Sequence, residues 1–205
     1  MSIHESKSMQ KTKTLVGMAI FTALVVVLQL LSTVIRIGPF APSLVLIPIV
    51  IGAAVYGVKS GAWLGFVFGV VVLAMCITGA DAGGFMMFEQ NALATALICL
   101  VKGTAAGTLA GLTYRTLAKF DGILATIAAA IVCPVVNTGL FVLGAVAVFQ
   151  DLLIQWQVGN GYGGSTLTAY IFLGMIGLNF LVELAINLVL SPIVVRILKV
   201  RKQCK

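Results

Sequence analysis

Two ionisable residues stand inside long apolar runs of this chain, Lys102 in LICLVKGTAAG and Glu183 in LNFLVELAINL. A charge near the centre of a membrane helix costs at least about 2.5 kcal/mol on insertion scales, so each must have a partner, water or a ligand. One reading is that Lys102 faces an aqueous pocket and pairs with an anionic solute. The other is a permanent Lys102–Glu183 bridge that orients helices. Asn179, Glu183 and Asn187 recur every four residues, which puts them on one face of a helix that cannot be turned to lipid. Asn137 and Thr138, in CPVVNTGL, add an amide and a hydroxyl, and Pro134 just before them is placed to kink that helix and open space. Asn137 and Asn179 are read as ligand contacts, and Asn187 as an inter-helix hydrogen bond.

A second stretch raises different chemistry. In GAAVYGVKSG the spacing Gly52-x4-Gly57, followed by Lys59-Ser60, lies one residue from a nucleotide-binding loop. Val58 separates the glycine from the lysine, and the flanks are apolar runs instead of the strand and helix of a soluble α/β domain. It reads as a glycine-bounded turn between two membrane helices. No catalytic site follows from other motifs. The one histidine is His4, in the polar N-terminal tail, so a histidine-based metal or acid–base centre in the membrane is excluded. A Gly-x-Ser-x-Gly elbow and an aspartate-rich phosphotransfer motif are absent. Cys76, Cys99, Cys133 and Cys204 lack metal-ligand spacing, and neither a cofactor nor a disulfide framework is expected.

The elements that must position these residues follow from composition. Of 205 residues 60% are hydrophobic and 9% charged, with a mean hydropathy of +1.14; a soluble domain carries roughly 25% charged residues. The chain is an integral membrane protein, all-α, and its net charge of +7 punctuates apolar runs as topology signals, with no basic stripe for nucleic acid. At roughly 20 residues per crossing of a bilayer core about 30 Å thick, six spans are predicted. They lie at 14–34, 44–56, 61–77, 91–112, 123–149 and 166–190. The second is short enough to be re-entrant, and with the third it makes a tight hairpin. Residues 1–13 form an N-terminal tail, 14–195 the membrane domain and 196–205 a basic C-terminal tail. Lys7, Lys11, Lys13, Lys59, Arg115, Lys119 and the basic residues from Arg196 to Lys205 all fall on one side, so both termini are expected in the cytoplasm. The opposite side has the irregular segments 36–43, 78–90 and 150–165, from which a cap over an outward-facing site would be built.

Small residues mark close helix contacts. Gly103, Gly107 and Gly111 repeat every fourth residue and predict packing within the chain, while Ala19 and Ala23 form a pair in the first span that could dock another membrane protein. Phe85, Phe88, Trp156 and Tyr162, at the outer ends of spans, could stack on a planar ligand or form the interfacial aromatic belt.

Together these features resemble the substrate-binding membrane subunit, the S component, of an energy-coupling-factor (ECF) transporter for a vitamin or related micronutrient. The resemblance rests on six spans in a chain of this size and on LVLIPIVIGAAVYGVKSGAWLGFVFG across spans two and three. The Asn137–Gly139 stretch, NFLVELAINLVLSP and Ala19-x3-Ala23 complete it. It implies a prokaryotic plasma-membrane protein that captures a solute from outside without altering it. It also implies partners: a transmembrane coupling subunit docking at Ala19 and Ala23, and two cytosolic ATPases. The segment with Arg36, Phe40 and Pro42 would be the gate. Because family members bind different vitamins on one scaffold, the solute is read from this chain's residues. Lys102 suits a carboxylate or phosphate, Asn137 and Asn179 suit hydroxyl or amide groups, and Glu183, Phe88 and Trp156 complete the candidate site. Pantothenate leads, ahead of folate and riboflavin; the aspartate-serine stretch of the riboflavin type is replaced here by Pro42-Ser43-Leu44. The alternative is a stand-alone secondary transporter of a small organic anion, with Lys102 and Glu183 as a proton-coupled pair.

Overall fold

The computed structural model describes residues 3–32, 44–177, 180–190 and 193 of the chain, and among them every regular element is helical. Helix α1 spans Ile3–Ser32, α2 Leu46–Tyr56, α3 Val58–Thr78, α4 Ala82–Gln90, α5 Ala92–Leu117, α6 Gly122–Val148 and α7 Gln150–Gly159. A short α8, Leu167–Ala169, runs into a π-helical turn at Tyr170–Met175, and α9 covers Phe180–Leu190. The gate residues Arg36, Phe40 and Pro42, the amide of Asn179 and the basic C-terminal tail lie outside the described residues.

Helices α1, α3, α5 and α6 are long and apolar enough to cross a membrane, and the pair Leu167–Met175 and Phe180–Leu190, bent by 42°, makes a fifth span if it is counted as one. The sixth expected segment is α2. Its 11 residues reach about 16 Å, half of a bilayer core. Residues Leu46 to Ala53 are all buried, so α2 is wrapped by protein, which accounts for its being apolar on every side. Helix α1 begins at Ile3, within the segment read from sequence as the N-terminal tail.

The turn between α2 and α3 is a single residue. Gly57 has φ +97°, a conformation that side chains rarely adopt, and α3 begins at Val58. Ser60 and Gly61 N–H donate to Gly57 O at 3.0 and 3.2 Å, so these amides are consumed in starting the helix and form no phosphate cradle. Of the segments expected to be irregular, 78–90 and 150–165 are helical over Ala82–Gln90 and Gln150–Gly159, and 36–43 lies outside the described residues. Asp81 caps α4, accepting from Gly84 N–H at 3.3 Å, and α7 follows α6 after the buried Phe149.

The middle of the bundle is a backbone-to-backbone contact between α3 and α5. A Cβ at Gly65 would collide with Gly103 O, one at Gly61 with Gly107 O, and one at Gly69 would lie 2.6 Å from Cys99 O. The contact is reciprocal: side chains at Gly103 or Gly107 would strike Gly65 O or Gly61 O. The glycine ridge of α5 therefore meets a second one on α3, in antiparallel register, and large side chains fill the flanks, with Leu64 and Phe68 fully buried. Gly65→Ala is expected to destabilise by about 1–3 kcal/mol, lowering the thermal midpoint in detergent by about 3–10 °C. Gly139→Ala, where a Cβ meets no atom within 4 Å, should leave the midpoint unchanged or raise it. Equal midpoints for the two variants would contradict this account of the contact.

Candidate functional site

With the glycine edge of α5 against α3, a neighbouring face of α5 carries Thr95, Cys99 and Lys102 into a cavity, together with Ile98. The other walls come from Gln29 of α1, Val72 and Cys76 of α3, and Asn137, Thr138 and Phe141 of α6. Asp81, Gly84 and Met87 close one end, and Met175, Ile176, Phe180 and Glu183 line the side of the bent segment. The empty space, open mouth included, is about 770 Å³.

Local structure explains why these side chains converge. Gly84 brings α4 flat against the end of α3, where a Cβ would collide with Cys76 Sγ. Helix α6 runs unbroken through Pro134, which is buried with Asn137 on the same side. The helix axis bends by 42° between Met175 and Phe180, and departures from regular helix at membrane depth are tolerated only where protein or a cavity satisfies the backbone. Here the Ile176 N–H donates to Ile171 O at 3.0 Å in π-helical fashion, and residues on both sides of the break face the cavity.

Lys102 is half-buried and forms no ion pair among the described residues. Its Nζ lies 5.0 Å from the Phe141 ring centroid and 5.9 Å from that of Phe68. Such aromatic faces contribute roughly 0.5–2 kcal/mol to holding an ammonium, without neutralising it. A permanent Lys102–Glu183 bridge is thus not formed, although both residues line the same cavity. Asn137 is 4% exposed, and its Oδ1 accepts no hydrogen bond among the described residues. Asn187 lies off the cavity wall and its Nδ2 donates to Glu183 O at 2.8 Å, one turn back along α9.

The remaining sequence candidates sit elsewhere. Phe88 packs against the core around α3, and Trp156 is buried with Phe149, Leu153 and Tyr170 in a cluster that shares Met87 and Met175 with the cavity wall. That cluster backs the cavity and anchors the segment after α7: Gln157 Nε2 donates to Tyr162 O and Ser165 O at 3.1 and 2.6 Å, and Asn160 Nδ2 donates to the Tyr170 hydroxyl at 3.1 Å. Ala19 and Ala23 are exposed on α1, in a face shared with Val16, Ile20 and Val27. Sequence reasoning missed Gln29 and Asp81 as cavity residues. The signal for Gln29 was a lone amide in VVVLQLLS.

The family model of the ECF transporter substrate-specific component matches residues 13–195, nearly the whole chain and every wall of the cavity. The chain belongs to that family. No curated protein matches it. The S component is therefore a multi-pass protein of the prokaryotic plasma membrane and a transporter subunit, not an enzyme. Its family implies a small-molecule substrate and association with an ECF module of coupling and ATPase subunits.

The thiols provide a check on the cavity. Cys76 and Cys99 line it, whereas Cys133 is fully buried and does not. In a Cys204→Ser background, a small water-soluble methanethiosulfonate should modify Cys99 or Cys76 before Cys133, read by peptide mass mapping. Modification of Cys133 alone would contradict the cavity's placement.

Proposed function

We propose that this S component binds a small organic acid of the vitamin class in the cavity between α1, α3, α5, α6 and α9, with the Lys102 ammonium receiving the acid. The observation that carries the reading is a lysine inside the bundle, facing a cavity between helices and held by aromatic faces with no ion pair among the described residues. A carboxylate or phosphate there gains a charge-assisted hydrogen bond, worth about 1.5–3 kcal/mol. Asn137 supplies an amide contact to the solute, Asn179 a second, and Glu183 completes the polar wall. Phe88 and Trp156 shape the site from outside its wall, and Arg36, Phe40 and Pro42 belong to the gate. Pantothenate, an acid with hydroxyl and amide groups, fits these partners best, ahead of folate and riboflavin.

The same reading includes six membrane segments, residues 14–195 as the membrane domain, and both termini in the cytoplasm, as the lysine and arginine placement favours. The coupling subunit docks on α1 at Ala19 and Ala23, where small exposed side chains let a partner helix approach closely, and two cytosolic ATPases drive release. Family membership favours this ATP-driven arrangement over a stand-alone proton-coupled carrier.

Binding of pantothenate, folate and riboflavin to the purified chain, measured by calorimetry, tests the assignment. One of them should bind, and Lys102→Ala should weaken that binding by about 10- to 150-fold. Unchanged affinity in Lys102→Ala would remove the charge-pair argument. For docking, Ala19→Trp with Ala23→Trp should abolish co-purification of the coupling subunit and leave solute affinity intact. Undiminished co-purification would place the interface elsewhere.

A further inference from the structure

Helix α1 is mostly exposed, yet it turns one polar side chain inward. Gln29 is 3% exposed and lines the cavity. Its Nε2 has only the weak acceptor Met75 Sδ, at 3.6 Å, and its Oε1 accepts no hydrogen bond among the described residues. A buried amide left this way loses its hydration with little in return, so as a purely structural residue it would be a poor choice. Asn137, on α6, repeats the pattern: buried, lining the same cavity, with an unsatisfied oxygen.

We propose that Gln29 is a solute contact and that, with Asn137, it selects solutes that carry hydrogen-bond donors, hydroxyl or N–H, on the portion away from the acid held by Lys102. This deepens the reading given under Proposed function and rests on it. The wall's acceptor character supports the choice of donors. Asp81 and Glu183, when ionised, offer acceptors alone, and the two amide oxygens add to them, whereas Lys102 is the one side chain on the wall, among the described residues, that only donates. A solute with an acid at one end and donors along its body satisfies both amide oxygens. An equally sized acid lacking donors would leave them buried and unmet, and sites of this kind reject such analogues strongly. Gln29 also lies on the helix that carries Ala19 and Ala23 on its exposed face, so the solute touches the same element that the coupling subunit is proposed to grip.

Gln29→Met keeps the shape and removes the polar atoms, and a structural role and a solute-contact role predict different outcomes for it. Native mass spectrometry of the detergent-purified chain reads whatever small molecule is retained from the cell. Thermal melting after that molecule has been dialysed away reads the intrinsic fold. If Gln29 is a solute contact, Gln29→Met retains at least tenfold less of the molecule than the unaltered chain, while its solute-free midpoint is unchanged or higher. The identified molecule has hydroxyl or N–H donors remote from its acid. Full retention by Gln29→Met, or a lower solute-free midpoint with retention unchanged, overturns the inference. If Lys102→Met loses the molecule while Gln29→Met keeps it, the proposed function stands and the role of Gln29 falls. If neither variant loses it, or if the unaltered chain retains none, both fall.

Discussion

The contact of α3 with α5 through interlocking glycines is the constraint on which the rest of the bundle depends. Lipid tails are as apolar as leucine, so helix association in a bilayer draws on close packing, and close packing is greatest where side chains are absent. Gly61, Gly65 and Gly69 against Gly107, Gly103 and Cys99 fix both the separation and the rotation of α5. Rotation matters more for function. With Gly103 pressed on α3, the preceding residue is turned to the side of the contact, and that residue is Lys102. The same ridge that excludes side chains from one face therefore aims the ammonium at the cavity.

From that arrangement the economy of polar groups follows. Lipid cannot hydrate an ionised or amide side chain, so the polar residues of the spans gather where helices enclose space. Lys102, Asn137, Gln29 and Glu183 come from four different helices and meet at one cavity, walled also by α3, α4 and the bent segment between α8 and α9. The bend has Met175 and Phe180 on either side of it, and both line the cavity. Outside the cavity, the Trp156 cluster and the hydrogen bonds of Gln157 hold the segment after α7 against the bundle, a packing role distinct from contact with a solute.

The sequence made the expensive features visible. Lys102, Glu183 and Asn137 stand out because each carries a penalty in lipid that only a cavity or partner relieves, and the shortness of α2 follows from counting residues against bilayer thickness. The glycine ridge of α5 was equally plain. Its counterpart on α3 was not, because glycines within GAWLGFVFG also suit a simple apolar span, and only the facing helix gives them meaning. Gln29 escaped because a single neutral amide near a span's end costs little by itself. Its burial depends on how α1 leans on α3. Asp81 escaped as well, because its position is set by capping α4. The break after Met175 contains no proline and left no local mark, and the burial of Trp156 arises from contacts distant in sequence. Features set by a local cost were legible, while those set by the facing helix were not.

The central claim is that the α3–α5 contact delivers Lys102 into the solute site. A structure of the chain purified with the small molecule it retains tests this most directly. The account predicts solute density in the cavity, with an acidic group within hydrogen-bond distance of Lys102 Nζ and the body of the molecule against Asn137. Solute density outside the bundle, or in the cavity with Lys102 paired instead to Glu183, would contradict it.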